Sequence, residues 1–196
     1  MPENTVAAKK QHMNVFSVRS LCFMALLIAL QIILARYVGW QVSAGLRISF
    51  ETIPILLAGM WLGPVPGLIV AIVSDFLGTI LSGYGAYFIP LAITPVFNAV
   101  VPPLVFKYIF KDKITVVNCV IVLFVVQAIA SMLLGTYALT WYYKLVLDIP
   151  DKAFGALFVS RLVKIPTFIA DCAVVTALHM TTYKKAIRPI LARARR

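Results

Sequence analysis

Residues 46–78 read LRISFETIPILLAGMWLGPVPGLIVAIVSDFLG and place two short apolar segments on either side of a Pro/Gly-rich turn. The first segment, residues 50–62, carries Pro54, and the second, residues 68–81, carries Asp75. A membrane-spanning helix needs about 20 apolar residues, so both segments are short. Interrupted backbone in a bilayer is tolerated where protein or water satisfies its polar groups. We therefore expect this stretch to border a cavity or a partner, with two tilted helices and a tight loop as the alternative.

The composition leaves room for one membrane domain and hardly any for a separate soluble one. The chain has 196 residues, of which 62% are hydrophobic, and a mean hydropathy of +0.96. We expect an all-α membrane protein with six transmembrane helices, at residues 18–37, 50–62, 67–82, 87–108, 114–143 and 154–182. The predicted organisation is an N-terminal tail (1–17), a membrane domain (18–183) and a basic C-terminal tail (184–196).

The distribution of the net charge of +11 orients these helices. Twelve basic residues fall on the side of the two termini: Lys9, Lys10, Arg19, Lys107, Lys111, Lys113, Lys184, Lys185, Arg188, Arg193, Arg195 and Arg196. Only Arg36, Arg47, Lys144 and Lys152 fall on the other side. This is the positive-inside pattern of a multi-pass membrane protein, with both termini cytoplasmic. The basic excess indicates contact with the lipid bilayer and not with nucleic acid.

The chain lacks the motifs of several enzyme classes. It contains no GxxxxGK[ST] nucleotide loop, no HExxH and no GxSxG, and we expect it neither to be an enzyme nor to hydrolyse ATP. Its three cysteines lie inside apolar runs without a CxxC pair or a Cys/His ligand spacing. They are expected in the core, and neither a metal nor a cofactor is implied.

The outer loops carry two kinds of candidate ligand-binding residue. Arg36 and Arg47 could hold a carboxylate at the outer mouth, or simply reach the lipid headgroups. The loop SGYGAYF at residues 82–88 has glycine hinges and three aromatic side chains, Tyr84, Tyr87 and Phe88. Such a loop would suit a lid that orders over a flat ring, and the alternative is a belt of interfacial aromatics.

Polar residues inside the predicted helices are the second group of candidates. Asn98 is either a link between helices or a ligand contact, and Trp141 belongs to an aromatic cluster at the outer end of the fifth helix. Arg161 and Lys164 share one face of the last helix, where a cation costs about 2.5–3.5 kcal/mol near the helix centre. We expect both to bind the carboxylates of an anionic ligand. The alternative is that they reach outward or pair with Asp75 and Asp171.

Several of these pieces together resemble the substrate-binding S-components of energy-coupling factor (ECF) vitamin transporters, most closely the folate group. The matching pieces lie in order between residues 18 and 180: ALLIAL with its Ala25/Ala29 pair, Arg36, LRISFETIPILLAGMWLGPVPG, SDFLG, GAYF and SRLVKIP. Phe50, from the FxxIPI piece, joins the candidate ligand-binding residues. Glu51, where we expect a non-acidic residue, and the extra prolines of the fourth helix depart from the pattern and leave the ligand's identity open.

The resemblance implies a six-helix bundle that binds a vitamin, here folate or a relative, at its outer face. It also implies association with a membrane coupling subunit, contacted by Ala25 and Ala29, and with two cytoplasmic ATPases. Such small residues four apart let another helix approach closely. The alternatives are an S-component for a different vitamin and, from another class, a small membrane scaffold or assembly protein.

Overall fold

The computed structural model describes residues 17–43, 46–82, 87–110, 115–145 and 154–182. The first four helical spans are built on α1 (Val18–Tyr37), α2 (Thr52–Leu62), α3 (Pro64–Ser82) and α4 (Ile93–Tyr108), which a 3-10 turn at Ile89–Ala92 precedes. The fifth span is α5 (Val116–Ala128), a π-helical turn (Ile129–Leu134) and α6 (Gly135–Leu145). The sixth is α7 (Phe154–Arg161), a 3-10 turn (Leu162–Lys164) and α8 (Ile165–Leu178). Between α1 and α2 lies a short antiparallel hairpin of β1 (Trp40–Ser43) and β2 (Leu46–Ile48).

The all-α architecture with six helices is confirmed. Four apolar helices are long enough to cross a membrane, and α2 is a shorter apolar one. The observed ends differ from the expected ones by a few residues at most, within the ordinary scatter of helix ends. The hairpin was not expected. The expected tails, apart from Ser17, lie outside the described residues, so the domain boundaries stay predictions.

The short helix α2 stands at the centre of the bundle. Its side chains are buried on every side, as the absence of any polar stripe in TIPILLAGMWL predicts. Leu56 and Leu57 join the largest core cluster with residues of α4, α5 and α8, while Ala58 and Leu62 pack with α1 and α3. α2 thus contacts α1, α3, α4 and α8. A helix packed on all sides fixes the relative positions of its neighbours.

Glycines allow α2, α3 and α4 to pack closely. Gly63 alone links α2 to α3, and its φ of 103° is one that a residue with a side chain rarely adopts. A Cβ on Gly67 would lie 2.8 Å from Gly59 Cα, and one on Gly59 would overlap the Ala99 carbonyl. The GPVPG turn therefore supports both the sharp reversal and the close contact.

Most large apolar side chains outside this core point away from the bundle. Leu26, Ile33, Ile80 and Leu133 are examples on three different spans, and each is exposed. In a membrane protein such side chains face lipid. Cys119 and Cys172 lie in the core as expected, but Cys22 is exposed on α1, so its expected core position was wrong.

Candidate functional site

A polar cavity lies beside the N-terminus of α2. Because α2 has only 11 residues, about 16 Å of helix, it does not fill the full height of the bundle. The space comprises two adjoining chambers of about 320 and 220 Å³. The residues that line both chambers are Glu51, Thr52, Asp75, Leu91, Thr94, Pro95 and Asn98.

The larger space, here called the aromatic chamber, has three rings in its wall: Tyr87, Phe88 and Tyr142. The Phe88 and Tyr142 rings meet edge to face, with centroids 5.5 Å apart and an interplanar angle of 67°. The Tyr87 hydroxyl donates a hydrogen bond to the Asp75 carboxylate. Tyr87 therefore holds the Asp75 carboxylate at the wall of the aromatic chamber.

The other polar groups of the aromatic chamber include unpartnered acceptors beside the hydroxyls of Thr52, Ser74, Thr79 and Thr94. Gln31 and Asn98 are each only 5% exposed, and their side-chain oxygens have no hydrogen-bond partner. Glu51 is half-buried and lines both chambers. No lysine or arginine is among the described residues that line this chamber. Its wall therefore offers a ligand flat rings and carbonyl or carboxylate oxygens.

The smaller space, here called the cationic chamber, contains Arg161 and Lys164 from the sixth span. Arg161 is 9% exposed and its guanidinium binds the neighbouring span. Nη1 donates to the backbone oxygen of Ser131 at 2.6 Å, and Nη2 donates to the backbone oxygen of Gly135 at 3.1 Å. Only Nε is buried without a partner.

The π-helical turn explains why these two carbonyl groups accept bonds from a side chain. Wider π turns displace backbone groups from the α-helical pattern, and such turns are frequent at functional sites. A Cβ on Gly135 would lie 2.5 Å from Arg161 Nη1, so the missing side chain at this position makes room for the guanidinium. Arg161 thus joins the fifth and sixth spans directly at the wall of the cationic chamber.

Lys164, Asp171 and Gln127 complete the polar wall of the cationic chamber. Lys164 lies in the 3-10 turn and interacts electrostatically with Asp171. The Gln127 amide lies close to the Asp171 carboxylate, and one oxygen of that carboxylate is buried without a partner. Among the described residues, no group of three or more His, Cys, Asp or Glu side chains could hold a metal ion.

The cavity brings together five of the residues singled out in the sequence: Tyr87, Phe88, Asn98, Arg161 and Lys164. Three others are not among the residues that line it. Arg36 is exposed at the end of α1, Phe50 packs against the main core cluster, and Trp141 is 47% exposed beside Tyr137.

Two predicted ligand residues and one predicted partner surface remain to be placed. Tyr84 and the side chain of Arg47 lie outside the described residues, as does most of the predicted lid loop. Ala25 and Ala29 are exposed on α1, on the side away from Met24 and Leu27, which pack inward. Their contact with a partner helix stays a prediction.

Sequence reasoning missed Gln31, Gln127 and Tyr142 as lining residues, and it left the roles of Glu51, Asp75 and Asp171 open. The two glutamines interrupt apolar runs, which is the signal that singled out Asn98. Tyr142 neighbours Trp141 in the same aromatic cluster, but the direction of each ring depends on helix rotation, which the sequence does not specify.

The family assignment comes from comparison with known proteins. The family model "ECF transporter, substrate-specific component" matches residues 19–181. The chain belongs to this family. It is a multi-pass membrane protein and the substrate-binding component of a transporter, not an enzyme. Among curated relatives, "Folate transporter FolT" of Clostridium novyi is 30% identical over 147 residues, covering 75% of this chain and 79% of the relative.

Two further comparisons agree with this assignment. "Folate transporter FolT" of Leuconostoc mesenteroides is 28% identical over 147 residues, covering 74% of this chain and 76% of the relative. The structure "Crystal structure of FolT bound with folic acid" superimposes with a TM-score of 0.64 at 25% identity, covering 81% of this chain and 92% of that one. The bundle therefore has the fold of that protein.

Proposed function

We propose that this chain is a folate-binding subunit of an ECF-type importer, which takes up its ligand at the outer face. The observation that carries the proposal is the pairing of the two chambers. One has rings and acceptors, the other has cations, and they share a wall. Folate is an elongated molecule with a flat heterocycle at one end and two carboxylates at the other. The names of the relatives support the same ligand.

In this proposal the aromatic chamber takes the pterin ring. Phe88 and Tyr142 form an edge-to-face pair in its wall, and flat apolar faces of this kind favour another ring by about 0.5–1.5 kcal/mol per aromatic contact. The second ring system of folate would lie beside the wall that both chambers share.

The cationic chamber takes the glutamate carboxylates. Lys164 supplies an ammonium group, and Arg161 supplies its positive charge and the Nε–H group, because its terminal nitrogens already bond to backbone oxygens. A hydrogen bond to a charged group is worth about 1.5–3 kcal/mol. The tail would therefore contact Lys164, which also interacts with Asp171, and Arg161 Nε, while the terminal nitrogens of Arg161 shape the chamber.

Transport requires partners, because the chain lacks a nucleotide-binding loop. We propose that it docks on a membrane coupling subunit that works with two cytoplasmic ATPases, and that Ala25 and Ala29 contribute to the docking face. Their exposure on α1 leaves a strip of small side chains that another helix can approach closely.

Equilibrium binding to the purified chain tests the ligand assignment. Folic acid should bind one to one and in preference to riboflavin, thiamine and biotin, and labelled folate should be displaced by unlabelled folate alone. Preferential binding of another vitamin would show that this vitamin, and not folate, is the substrate. Binding of none would favour the scaffold alternative.

A further inference from the structure

The polar atoms of the aromatic chamber present an imbalance that the proposed function does not explain. Gln31 Oε1 and Asn98 Oδ1 are buried acceptors without donors. Among the described residues, no hydrogen bond or ion pair is found for the carboxylate of Glu51, which is half-buried. A buried acceptor without a partner costs about 1–3 kcal/mol, so the Gln31 and Asn98 oxygens are expected to be satisfied when the chamber is filled.

The charges of the residues that line the cavity strengthen this argument. Glu51 lies close enough to Asp75 and Asp171 for its charge to act on both. Among the described residues that line the cavity there are three carboxylates and two cations, Arg161 and Lys164, although the proposed ligand is itself an anion. Glu51 and Asp75 line both chambers and Asp171 lines the cationic chamber, so the ring end has two carboxylates and no described cation. Carboxylates at this end favour a ligand whose ring carries donors.

Of the three carboxylates, Glu51 is the one that lines the aromatic chamber without a described hydrogen-bond partner. Asp75 accepts a hydrogen bond from Tyr87, and Asp171 has Lys164 and Gln127 beside it. Glu51 follows Phe50 directly before α2 and reaches the wall of both chambers. It lies in the wall that also contains the unpartnered Asn98 oxygen.

We infer that Glu51, together with Gln31 and Asn98, recognises a heterocycle by an edge of adjacent N–H donors, and that Glu51 determines the specificity for that edge. This inference rests on the proposed function and narrows it to the chemistry of the ring. The 2-amino-4-oxo edge of a pterin presents an amino group beside a ring N–H. A carboxylate accepts such a pair of parallel donors with two hydrogen bonds, as it does from a guanidinium.

The selectivity follows from this arrangement. A ring that lacks the 2-amino group leaves Glu51 without one donor while keeping the shape of the remaining ligand. A site built to bond an N–H group rejects an analogue without it, because the buried polar partner is then unsatisfied. A ring that carries only acceptors at this edge would meet the oxygens of Glu51, Gln31 and Asn98 directly.

The test compares folic acid with 2-desamino-2-methylfolic acid, which keeps the tail and the ring shape but lacks the amino group. Titration of the purified full chain should give a preference of about tenfold or more for folic acid. In Glu51→Gln the preference should fall several-fold, because a neutral amide oxygen is a weaker acceptor and the new NH₂ faces the ring. Lys107→Ala, which removes an exposed charge that does not line the cavity, is the control and should leave the ratio unchanged.

Each outcome separates this inference from the proposed function. If the unmodified chain binds both compounds equally, Glu51 does not recognise the amino group, and the inference is wrong. The proposal that the chain binds folate is unaffected by that result. The inference is also wrong if Glu51→Gln keeps the full preference. If Glu51→Gln fails to fold, the ratio of the two affinities in the unmodified chain still tests whether the site recognises the amino group. Failure of the unmodified chain to bind folic acid at all would overturn the proposed function first.

Discussion

The two chambers of the cavity differ in which polar groups their own protein leaves without a partner. In the cationic chamber these are Arg161 Nε, one oxygen of Asp171 and the Gln127 amide. In the cationic chamber the strongest donor, Arg161, already bonds to backbone oxygens of the fifth span. In the aromatic chamber the oxygens of Gln31 and Asn98 have no partner. A buried group that is satisfied internally fixes the shape of a site, whereas an unsatisfied one needs a ligand. The terminal nitrogens of Arg161 therefore fix the shape of the site, and the unpartnered polar groups are the ones that bind a ligand.

The largest expected effect is that of Arg161→Ala, which would break the link between the two spans. Removing the guanidinium leaves the buried oxygens of Ser131 and Gly135 without this donor, at about 1–3 kcal/mol for each group. We expect folate affinity to fall on the order of 100-fold by that magnitude. Because the chamber itself changes, a pterin without the benzoylglutamate tail should also bind less tightly. Titration calorimetry with both ligands measures this.

Two further variants sharpen that test. Gly135→Ala should act like Arg161→Ala, because its Cβ would collide with Nη1. Lys107→Ala removes an exposed cation from the end of α4 and should change neither affinity. A loss confined to ligands with the glutamate tail in Arg161→Ala would instead mean that the guanidinium binds the carboxylates directly.

The next effect is that of Lys164→Ala, which removes the ammonium group from the cationic chamber. Folate affinity should fall at least about tenfold, the lower limit of a hydrogen bond to a charged group. The tail-less pterin should lose much less, because it has no carboxylate to place there. The variant should insert normally, since removing a cation from a membrane helix relieves an energetic cost. Equal losses for the two ligands would assign Lys164 to helix packing.

A smaller effect is expected from the aromatic chamber. Tyr142→Ala removes one ring of the edge-to-face pair with Phe88. Affinity should fall about fivefold, within the energy of an aromatic contact, and by the same factor for folate and for the tail-less pterin. Tyr137→Ala is the matched control, because Tyr137 lies on the same helix, five residues nearer the π turn than Tyr142, and does not line the chamber. A tail-dependent loss in Tyr142→Ala would contradict the division between the chambers.

The smallest effect on binding concerns a surface outside both chambers. Ala29→Trp fills an exposed position on α1 and should leave the affinities for folate and for the tail-less pterin unchanged. Folate uptake by cells that carry the variant with its partner subunits should nevertheless be lost, because the bulky ring prevents close helix approach. Normal uptake, or parallel loss of binding and uptake, would show that the docking surface lies elsewhere.

Hydropathy was sufficient to predict the six spans, and the charge distribution predicts their orientation. Each span is mostly apolar, and most basic residues outside the spans fall on one side, so neither feature depends on tertiary contacts. The π turn at Ile129–Leu134 could not be predicted in this way. Its sequence, IASMLL, has no Pro or Gly, and two carbonyl groups at the turn bond to an arginine 30 and 26 residues further along the chain.

The site was only partly predictable for the same reason. Asn98, Arg161 and Lys164 were singled out because polar groups are costly inside a membrane, and all three line the cavity. That cost does not specify partners, so the bonds of Arg161 to backbone oxygens were not foreseen. Nor does it specify helix rotation, which turns Tyr142 toward the cavity and leaves Trp141 largely exposed.

The most direct test of the two-chamber account is the binding of the two halves of folate. A tail-less pterin and p-aminobenzoylglutamate should occupy the purified chain at the same time, without competing, as followed by ligand-observed NMR. Tyr142→Ala should then weaken only the pterin, and Lys164→Ala only the glutamate half. Mutual displacement of the two halves, or an equal loss of both in either variant, would contradict the account.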